Sequence, residues 1–292
     1  MLEKVFKLRE NGTDVKTEVI AGITTFMTMA YILAVNPSIM SAAGMDSGAV
    51  FTATALAALL GTVLMAVFAN YPFALAPGMG LNAYFAYTVV GVYGYSWKVA
   101  LTAVFAEGII FIILSATNVR EAIFNAIPKN LKAAVSVGSG LFIAFIGLQN
   151  AKIVIGGSTL LQLYSLDNYN AANGVKATFH DVGITVLLAV IGILITGILV
   201  IRNIKGNILW GILITWLLGI GCQFAGIYVP NPDVGFYSLL PDFSNGLSIP
   251  SIAPVFAKLD FHSMFSLNFI VVVFAFLFVD MFDTIGTLIG VS

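Results

Sequence analysis

Apolar residues recur along this chain in runs of roughly twenty, the length that a helix needs to cross the hydrocarbon core of a membrane. Seven of these runs are uninterrupted, and one further run, residues 72–92, is interrupted by proline and glycine. The uninterrupted runs are residues 19–36, 50–69, 98–117, 131–149, 182–201, 207–227 and 265–290. The pattern predicts an all-α polytopic membrane protein with eight membrane segments.

The 13 Lys and Arg residues predict the orientation of these segments. If the amino terminus is cytoplasmic, nine of them lie on the cytoplasmic side and four outside, the asymmetry usual in membrane proteins. The cytoplasmic set is Lys4, Lys7, Arg9, Lys16, Arg120, Lys129, Lys132, Arg202 and Lys205, and the external set is Lys98, Lys152, Lys176 and Lys258. The long polar stretches 150–181 and 228–264 are then external loops, and the interrupted run crosses the membrane once.

The interrupted run cannot form one continuous helix. Pro77 removes a backbone donor, and Gly78 and Gly80 weaken the helix around it. We expect extended chain to about Gly80 and a half-helix from Leu81 or Asn82, whose first amides point into the protein. Such a break usually marks a transporter's substrate site, and Asn82 can cap the half-helix or bind a ligand. A simple packed proline kink is the alternative.

Three carboxylates lie inside apolar runs. Asp280 and Asp283 share one helical stripe with Thr284 and Thr287 in the last run. A charged group at this depth costs at least about 2.5–3.5 kcal/mol on insertion scales, so a pair of them indicates a substrate or an ion. Glu107 lies in the middle of another run, where a buried structural acid and a functional group are equally good interpretations.

Composition excludes several classes of protein. Hydrophobic residues make up 59% of the 292 residues and charged residues 9%, with a formal net charge of -1. This chain has no basic surface for nucleic acid and no phosphate-binding loop for ATP, so we expect coupling to an ion gradient. Cys222 excludes an internal disulfide, and His180 and His262 are interpreted as loop residues, so no cofactor or metal is expected.

Three separated motifs resemble one known family, the adenine/guanine/hypoxanthine permease branch of the nucleobase/ascorbate transporter family. The resemblance runs from Thr17 to the end of the chain. The motifs are Ala-Pro-Gly-Met-Gly-Leu-Asn-Ala-Tyr-Phe at residues 76–85, Phe-Val-Asp-Met-Phe-Asp-Thr-Ile-Gly-Thr at residues 278–287, and Ala-Gly-Ile-Thr-Thr-Phe-Met-Thr-Met-Ala-Tyr-Ile at residues 21–32, followed by Asn36-Pro37.

The resemblance implies fourteen membrane segments in two inverted repeats of seven, with a short mid-membrane strand in segments 3 and 10. Segments 1–4 and 8–11 would form a core domain, and segments 5–7 and 12–14 a gate domain. The chain would then be the amino-terminal part of a longer permease, ending in or just after segment 8. The implied divisions are a cytoplasmic terminus 1–17, core segments 18–117, gate segments 118–230, an external loop 231–264 and core segment 265–292.

The resemblance also implies import of purine nucleobases (hypoxanthine, guanine or adenine) by proton symport through the plasma membrane. Asn82 would be the polar contact on segment 3, Met79 and Gly80 its strand backbone, and Asp283 the main carboxylate. Asp280 would accompany Asp283, with Thr287 hydrogen-bonding beside it. The proton-coupling candidates are Asp280, Asp283 and Glu107. Sodium in place of the proton, and a homodimer in the lipid bilayer, stay open.

Two other functions are compatible with parts of this pattern. An anion transporter or channel on the same fold would bind sulfate or bicarbonate at the half-helix terminus, although the nearby aspartates oppose an anion. An intramembrane aspartyl protease needs two carboxylates facing each other, ordinarily from two helices, whereas Asp280 and Asp283 lie on one. We therefore expect a transporter and not an enzyme.

Overall fold

The computed structural model describes residues 6–117, 128–157, 160–240, 248–262, 264 and 266–291, and this part of the chain is mainly helical. The helices are α1 (Val15–Met29), α2 (Ile32–Ala42), α3 (Ser47–Leu64), α4 (Met79–Ala83), α5 (Trp97–Ala116), α6 (Lys129–Asn150), α7 (Leu166–Asn173), α8 (Ile184–Ile201), α9 (Asn207–Phe224) and α10 (Leu267–Val291). Short π-helical segments extend three of them: Met65–Ala69 follows α3, Tyr84–Val92 follows α4 and Phe179–Gly183 precedes α8.

Six helical stretches in the described residues are long and apolar enough to cross a membrane. They are Val15–Ala42, Ser47–Ala69, Trp97–Ala116, Phe179–Ile201, Asn207–Phe224 and Leu267–Thr284. Two shorter apolar helices, Met79–Val92 and Gly140–Asn150, lie in the other two predicted segments. The predicted all-α polytopic class is therefore confirmed, while the two repeats and the fourteen segments stay predictions.

The chain divides into two compact units. The first contains Tyr31–Ile143 and Ile249–Ser292, and the second contains Lys7–Ala30 and Ala144–Ser248. In the first unit, buried side chains such as Ile39, Phe85 and Phe276 form one apolar core. The predicted boundaries of the core and gate domains stay predictions.

Polar side chains fix the ends of several helices. Asp14, Asp46 and Ser96 accept hydrogen bonds from backbone amides in the first turns of α1, α3 and α5, at 2.8, 2.7 and 3.3 Å. Such N-caps satisfy amides that have no partner within the helix. The segment before α10 is also held by hydrogen bonds: Thr52 Oγ1 donates to the Pro250 carbonyl, and the Asp260 amide donates to Thr102 Oγ1, both at 2.8 Å.

The polar stretch after α6 has structure of its own in the second unit. Strands β1 (Val154–Gly156) and β2 (Leu161–Leu163) form an antiparallel hairpin, and α7 follows directly. Ile155, Tyr169 and Val182 form a small buried cluster beneath them. This predicted loop is thus partly ordered by its own apolar residues.

Helices α8 and α9 pack through two copies of the same pentapeptide. Gly-Ile-Leu-Ile-Thr occupies residues 192–196 of α8 and 211–215 of α9. A Cβ atom on Gly192 would meet Thr215, and one on Gly211 would meet Thr196. Each threonine hydroxyl donates to the glycine carbonyl four residues earlier in its own helix, at 2.8 Å for Thr196 and 2.7 Å for Thr215. Small residues therefore allow a close helix crossing, as is common in membranes.

We predict that Gly211→Val destabilises the protein by about 1–3 kcal/mol in the free energy of unfolding, since the added methyl groups collide with Thr196. The thermal unfolding temperature in detergent measures this. Gly197→Val is the matched control because a Cβ atom at Gly197 of α8 meets nothing within 4 Å. Equal unfolding temperatures for the two variants would contradict the close crossing.

Candidate functional site

The third membrane segment is broken, as predicted. After the π-helical turn Met65–Ala69 the chain reverses at Asn70, whose φ of 53° is left-handed, and residues 71–78 form no regular element. Helix α4 then begins at Met79 and continues as Tyr84–Val92, with Gly78 in extended conformation at its N-cap. The half-helix therefore begins inside the apolar run.

The half-helix begins two residues earlier than predicted, and this corrects one local assignment. Met79 and Gly80, predicted as strand backbone, are the first helical residues. Pro77 has no amide hydrogen to donate, and the helix starts two residues after it. The extended residues before it form no ladder with another strand in the described part of the chain; a backbone bond from Leu75 to Thr62 Oγ1, at 3.0 Å, holds them instead.

Asn82 joins a chain of hydrogen bonds across three helices of the first unit. Its Nδ2 donates to Asn36 Oδ1 on α2 at 2.6 Å, and Asn36 Nδ2 donates to Thr54 Oγ1 on α3 at 2.7 Å. Thr54 Oγ1 in turn donates to the carbonyl of Val50 at 2.7 Å. Asn36 and Thr54 are buried, so these bonds also satisfy polar groups that water does not reach.

A cavity of about 730 Å³ lies beside this chain of hydrogen bonds, and we call it the asparagine cavity. Its polar lining is Asn36, Thr54, Asn82 and Glu107, and Pro77 and Gly78 bring the break to its wall. Glu107 is only 5% exposed, and its Oε1 atom has no hydrogen-bond partner among the described residues. A buried carboxyl oxygen without a partner is costly, so the cavity is the place where a proton or a ligand could satisfy it.

Asp280 and Asp283 lie half-buried on α10, on the stripe that continues the buried residues Phe269 and Phe276. Asp283 reaches the break: a Cβ atom on Gly78 would lie 3.1 Å from its Oδ2 atom. Helix α10, which carries Asp280, packs against α5, which carries Glu107. Helix α10 thus brings a carboxylate to the half-helix and also packs against the helix of the buried acid.

A second cavity, of about 410 Å³, contains Asp283, and we call it the aspartate cavity. Gly80 and Tyr84 line it from the half-helix, and Phe278 and Phe282 line it from α10. The Tyr84 ring meets Phe276 edge to face, with centroids 5.1 Å apart. Aromatic rings around one carboxylate make a pocket suited to a flat ligand with hydrogen-bond donors.

The predicted site residues are thus distributed around the break. Asn82 and Glu107 line the asparagine cavity, Gly80 and Asp283 line the aspartate cavity, and Met79 packs against the core. Gly78 lines the first cavity and contacts Asp283, so the two cavities are neighbours across the break. Thr287 belongs to α10, but its side chain falls outside the described residues.

Sequence reasoning missed the hydrogen bonds of Asn36 and Thr54 and the position of Gly78 beside the Asp283 carboxylate. Asn36 gave a signal, because an asparagine inside an apolar run needs a partner. Thr54 gave none, since threonine is common in membrane helices and bonds its own backbone there.

Several membrane-crossing helices and a half-helix broken at a polar cavity are together the architecture of a membrane transporter. Residues 16–292 match a family described as the permease family, and the chain belongs to that family. The family is one of membrane transport proteins and not of enzymes, in line with the expectation from the sequence.

Relatives specify the branch of this family. A Methanocaldococcus jannaschii protein named as a permease, MJ0326, is 48% identical over 98% of this chain and 59% of its own length. The adenine permease AdeP of Escherichia coli is 40% identical over 100% of this chain and 59% of its own. The guanine/hypoxanthine permease PbuO of Bacillus subtilis is 42% identical over 99% of this chain and 61% of its own. These similarities confirm the predicted branch, and the chain spans about three fifths of each relative.

Proposed function

We propose that the protein imports purine nucleobases by secondary active transport, as part of a permease with the length of its relatives. The observation that carries the proposal is the Asp283 carboxylate, which lies against Gly78 at the start of the half-helix in an aromatic cavity. The names of AdeP and PbuO supply the class of substrate, adenine, guanine or hypoxanthine.

The chemistry of a purine suits this arrangement. A purine is flat and presents ring N–H donors and acceptors along its edges, which a carboxylate and an amide can bind in one plane. We place the base at the break, with Asp283 as the main contact, Asn82 as the second and the backbone of Met79 and Gly80 beside them. Tyr84 would cover one face of the ring.

Proton symport is the coupling that the carboxylates favour. Two carboxylates one helical turn apart disfavour double ionisation in a low dielectric, so Asp280 and Asp283 would hold a proton in at least one step. Glu107 would be a further proton carrier, since its Oε1 is buried without a partner among the described residues. Sodium is the competing ion, because carboxylate oxygens also bind it.

An anion transporter on the same fold is the second candidate, and the position of Asp283 opposes it. An anion would bind at the amides of the half-helix terminus, where positive partial charge gathers. The Asp283 carboxylate already lies against Gly78 at that terminus. A second negative charge there would be repelled.

The proposals on location, orientation, domains and oligomeric state rest on the sequence. We propose a plasma-membrane location with a cytoplasmic amino terminus, from the distribution of Lys and Arg. Residues 18–117 and 265–292 would belong to a core domain and residues 118–230 to a gate domain. A homodimer in the bilayer is compatible with this proposal.

We predict that Asp283→Asn abolishes purine binding and uptake, because the neutral amide loses the charge-assisted hydrogen bond to a ring N–H and replaces one acceptor oxygen by a donor. Asp280→Asn should keep part of the binding and shift the pH dependence of uptake. Equilibrium binding and uptake of labelled hypoxanthine by the intact permease, in cells without other purine permeases, measure both. Unchanged transport by the Asp283→Asn protein would disprove the site.

We predict that Gly78→Ala weakens purine affinity by about tenfold, or ~1.4 kcal/mol, since its Cβ atom would displace the Asp283 carboxylate. Competition against labelled hypoxanthine measures the affinity. Gly108→Ala is the control, because a Cβ atom there meets nothing within 4 Å. If both variants bind like the wild type, the contact between Gly78 and Asp283 has no part in binding.

We predict that Glu107→Gln reduces the dependence of uptake on external pH, because glutamine cannot exchange a proton, while equilibrium binding is retained. Wild-type uptake should rise as the pH falls, and Glu107→Asp, which keeps a titratable group, should retain part of that rise. The measurement is the initial uptake rate between acidic and neutral pH, with and without sodium. A sodium requirement at constant pH would favour the competing ion.

A further inference from the structure

A segment without helix or strand forms one wall of the asparagine cavity. It comprises residues 250–260, which precede α10, and we call it the strap. Most of the cavity wall outside the strap is formed by α2, α3, α4 and α5. The strap residues that line the cavity are Ile252, Val255, Phe256, Ala257 and Leu259.

Each end of the strap is fastened to a helix. At the start, Thr52 Oγ1 on α3 donates to the Pro250 carbonyl at 2.8 Å. At the end, the Asp260 amide donates to Thr102 Oγ1 on α5, also at 2.8 Å. A Cβ atom on Gly48 would lie 3.0 Å from Pro250 Cβ, so the start of the strap also lies directly against the first turn of α3.

Between its ends the strap has few contacts that would hold it closed. Val255 is the one buried residue of the strap, whereas Phe256 is 67% exposed. The amides of Val255 and Phe256 bond to the Ile252 carbonyl at 3.0 Å, so this part folds onto itself. Ala257 has a φ of 53°, which is unfavourable for a residue with a Cβ atom. Segments with so few buried contacts are the ones that open locally.

The two ends of the strap are held at different depths. Thr102 is 0% exposed, and its oxygen accepts from the Asp260 amide whichever way the hydroxyl proton turns. The start lies at the surface, since Pro250 is exposed and water can replace Thr52 as the partner of its carbonyl. We therefore expect the end of the strap to serve as a pivot and the start to serve as a latch.

We propose that the strap is a lid of the asparagine cavity, closed in this structure, which opens at Pro250 and admits water and solute. Glu107, whose Oε1 atom has no partner among the described residues, is then reached by water. The strap belongs to the loop proposed as external, so the lid opens to the outside. The inference concerns access to the cavity, and its consequence for uptake rests on the proposed function.

A thiol in the cavity wall reports the opening of the lid. Val104 of α5 lines the asparagine cavity, whereas Ala106 of the same helix packs against the apolar core and does not line it. Val104→Cys is the reporter and Ala106→Cys the control, each in an intact permease with Cys222 and any further cysteine replaced by alanine. The quantity to measure is the rate at which a charged maleimide, which reaches a thiol only through water, labels the purified protein.

The variant that loosens the latch is Thr52→Val, which keeps the shape of the side chain but removes the donor to the Pro250 carbonyl. We expect labelling of Val104→Cys to become about fivefold faster, the effect of one ordinary hydrogen bond that exists only in the closed state. Labelling of Ala106→Cys should not change. Thr52→Ser keeps the hydroxyl and should keep the wild-type rate at both positions.

The opposite change locks the latch. In the double variant Gly48→Cys/Pro250→Cys, the two Cβ atoms lie only slightly closer than the about 3.5–4.5 Å of a disulfide, so a small shift allows the bridge to form. We expect oxidation to remove most of the initial uptake of labelled hypoxanthine in cells, and a reducing agent to restore it. Each single-cysteine variant is the control and should not respond to the oxidant.

The outcomes separate the lid from the proposed function. An unchanged labelling rate of Val104→Cys in the Thr52→Val protein would overturn the lid, as would an equal increase at Ala106→Cys, which indicates general loosening. If Thr52→Val does not fold, the disulfide decides, and an oxidised protein that keeps its uptake would contradict the proposal. A wild type that takes up no purine would overturn the proposed function, while the labelling rates would still decide whether the strap is a lid.

Discussion

Residues 70–78, which lead into the half-helix, belong to no helix or strand, and this break constrains the first unit. Lipid offers no partner to a backbone amide or carbonyl, so such a segment is stable only when protein surrounds it. Thr62 bonds Leu75, and the carboxylate of Asp283 lies against Gly78. The break therefore requires polar groups on neighbouring helices, and those groups are the ones that form the candidate site.

The two units accommodate polar side chains in their apolar helices in different ways. In the second unit, glycine and threonine allow α8 and α9 to pack closely. The threonine hydroxyls donate hydrogen bonds to backbone carbonyls of their own helices. The first unit places amides and carboxyls around cavities: Asn36, Asn82, Glu107 and Asp283. Close packing suits a rigid element, whereas polar cavities suit the binding of a solute.

The sequence predicted the features that depend on local chemistry. Apolar runs predicted the membrane helices and Pro77 predicted the break, while the functional role expected of the carboxylates on α10 stays a prediction. It did not predict the start of the half-helix at Met79, because the amides of a first turn have no partner within the helix and a glycine there is tolerated. The strand expected at Met79 and Gly80 was wrong for the same reason.

Features that depend on which helices meet could not be predicted. The two identical pentapeptides of α8 and α9 are visible in the chain, but their pairing requires the crossing to be known. Likewise, the sequence does not indicate that Asn82 and Asp283 line different cavities, or that Gly78 of the asparagine cavity lies close to the Asp283 carboxylate. One residue of register decides on which side of a half-helix a side chain lies, and composition carries no information about it.

The polar residues of the candidate site are of two chemical types, carboxyls that can exchange a proton and amides or hydroxyls that cannot. A proton-coupled cycle requires groups that change their charge, and Glu107, Asp280 and Asp283 are such groups. Asp283 would also be the main contact of the base, so in the proposed cycle its protonation and the binding of the base depend on each other. Asn36, Thr54 and Asn82 have no titratable proton in the relevant range, so their hydrogen-bonding groups are the same at every pH at which the carboxylates exchange protons. The amides can therefore keep their hydrogen bonds while the carboxyls exchange protons.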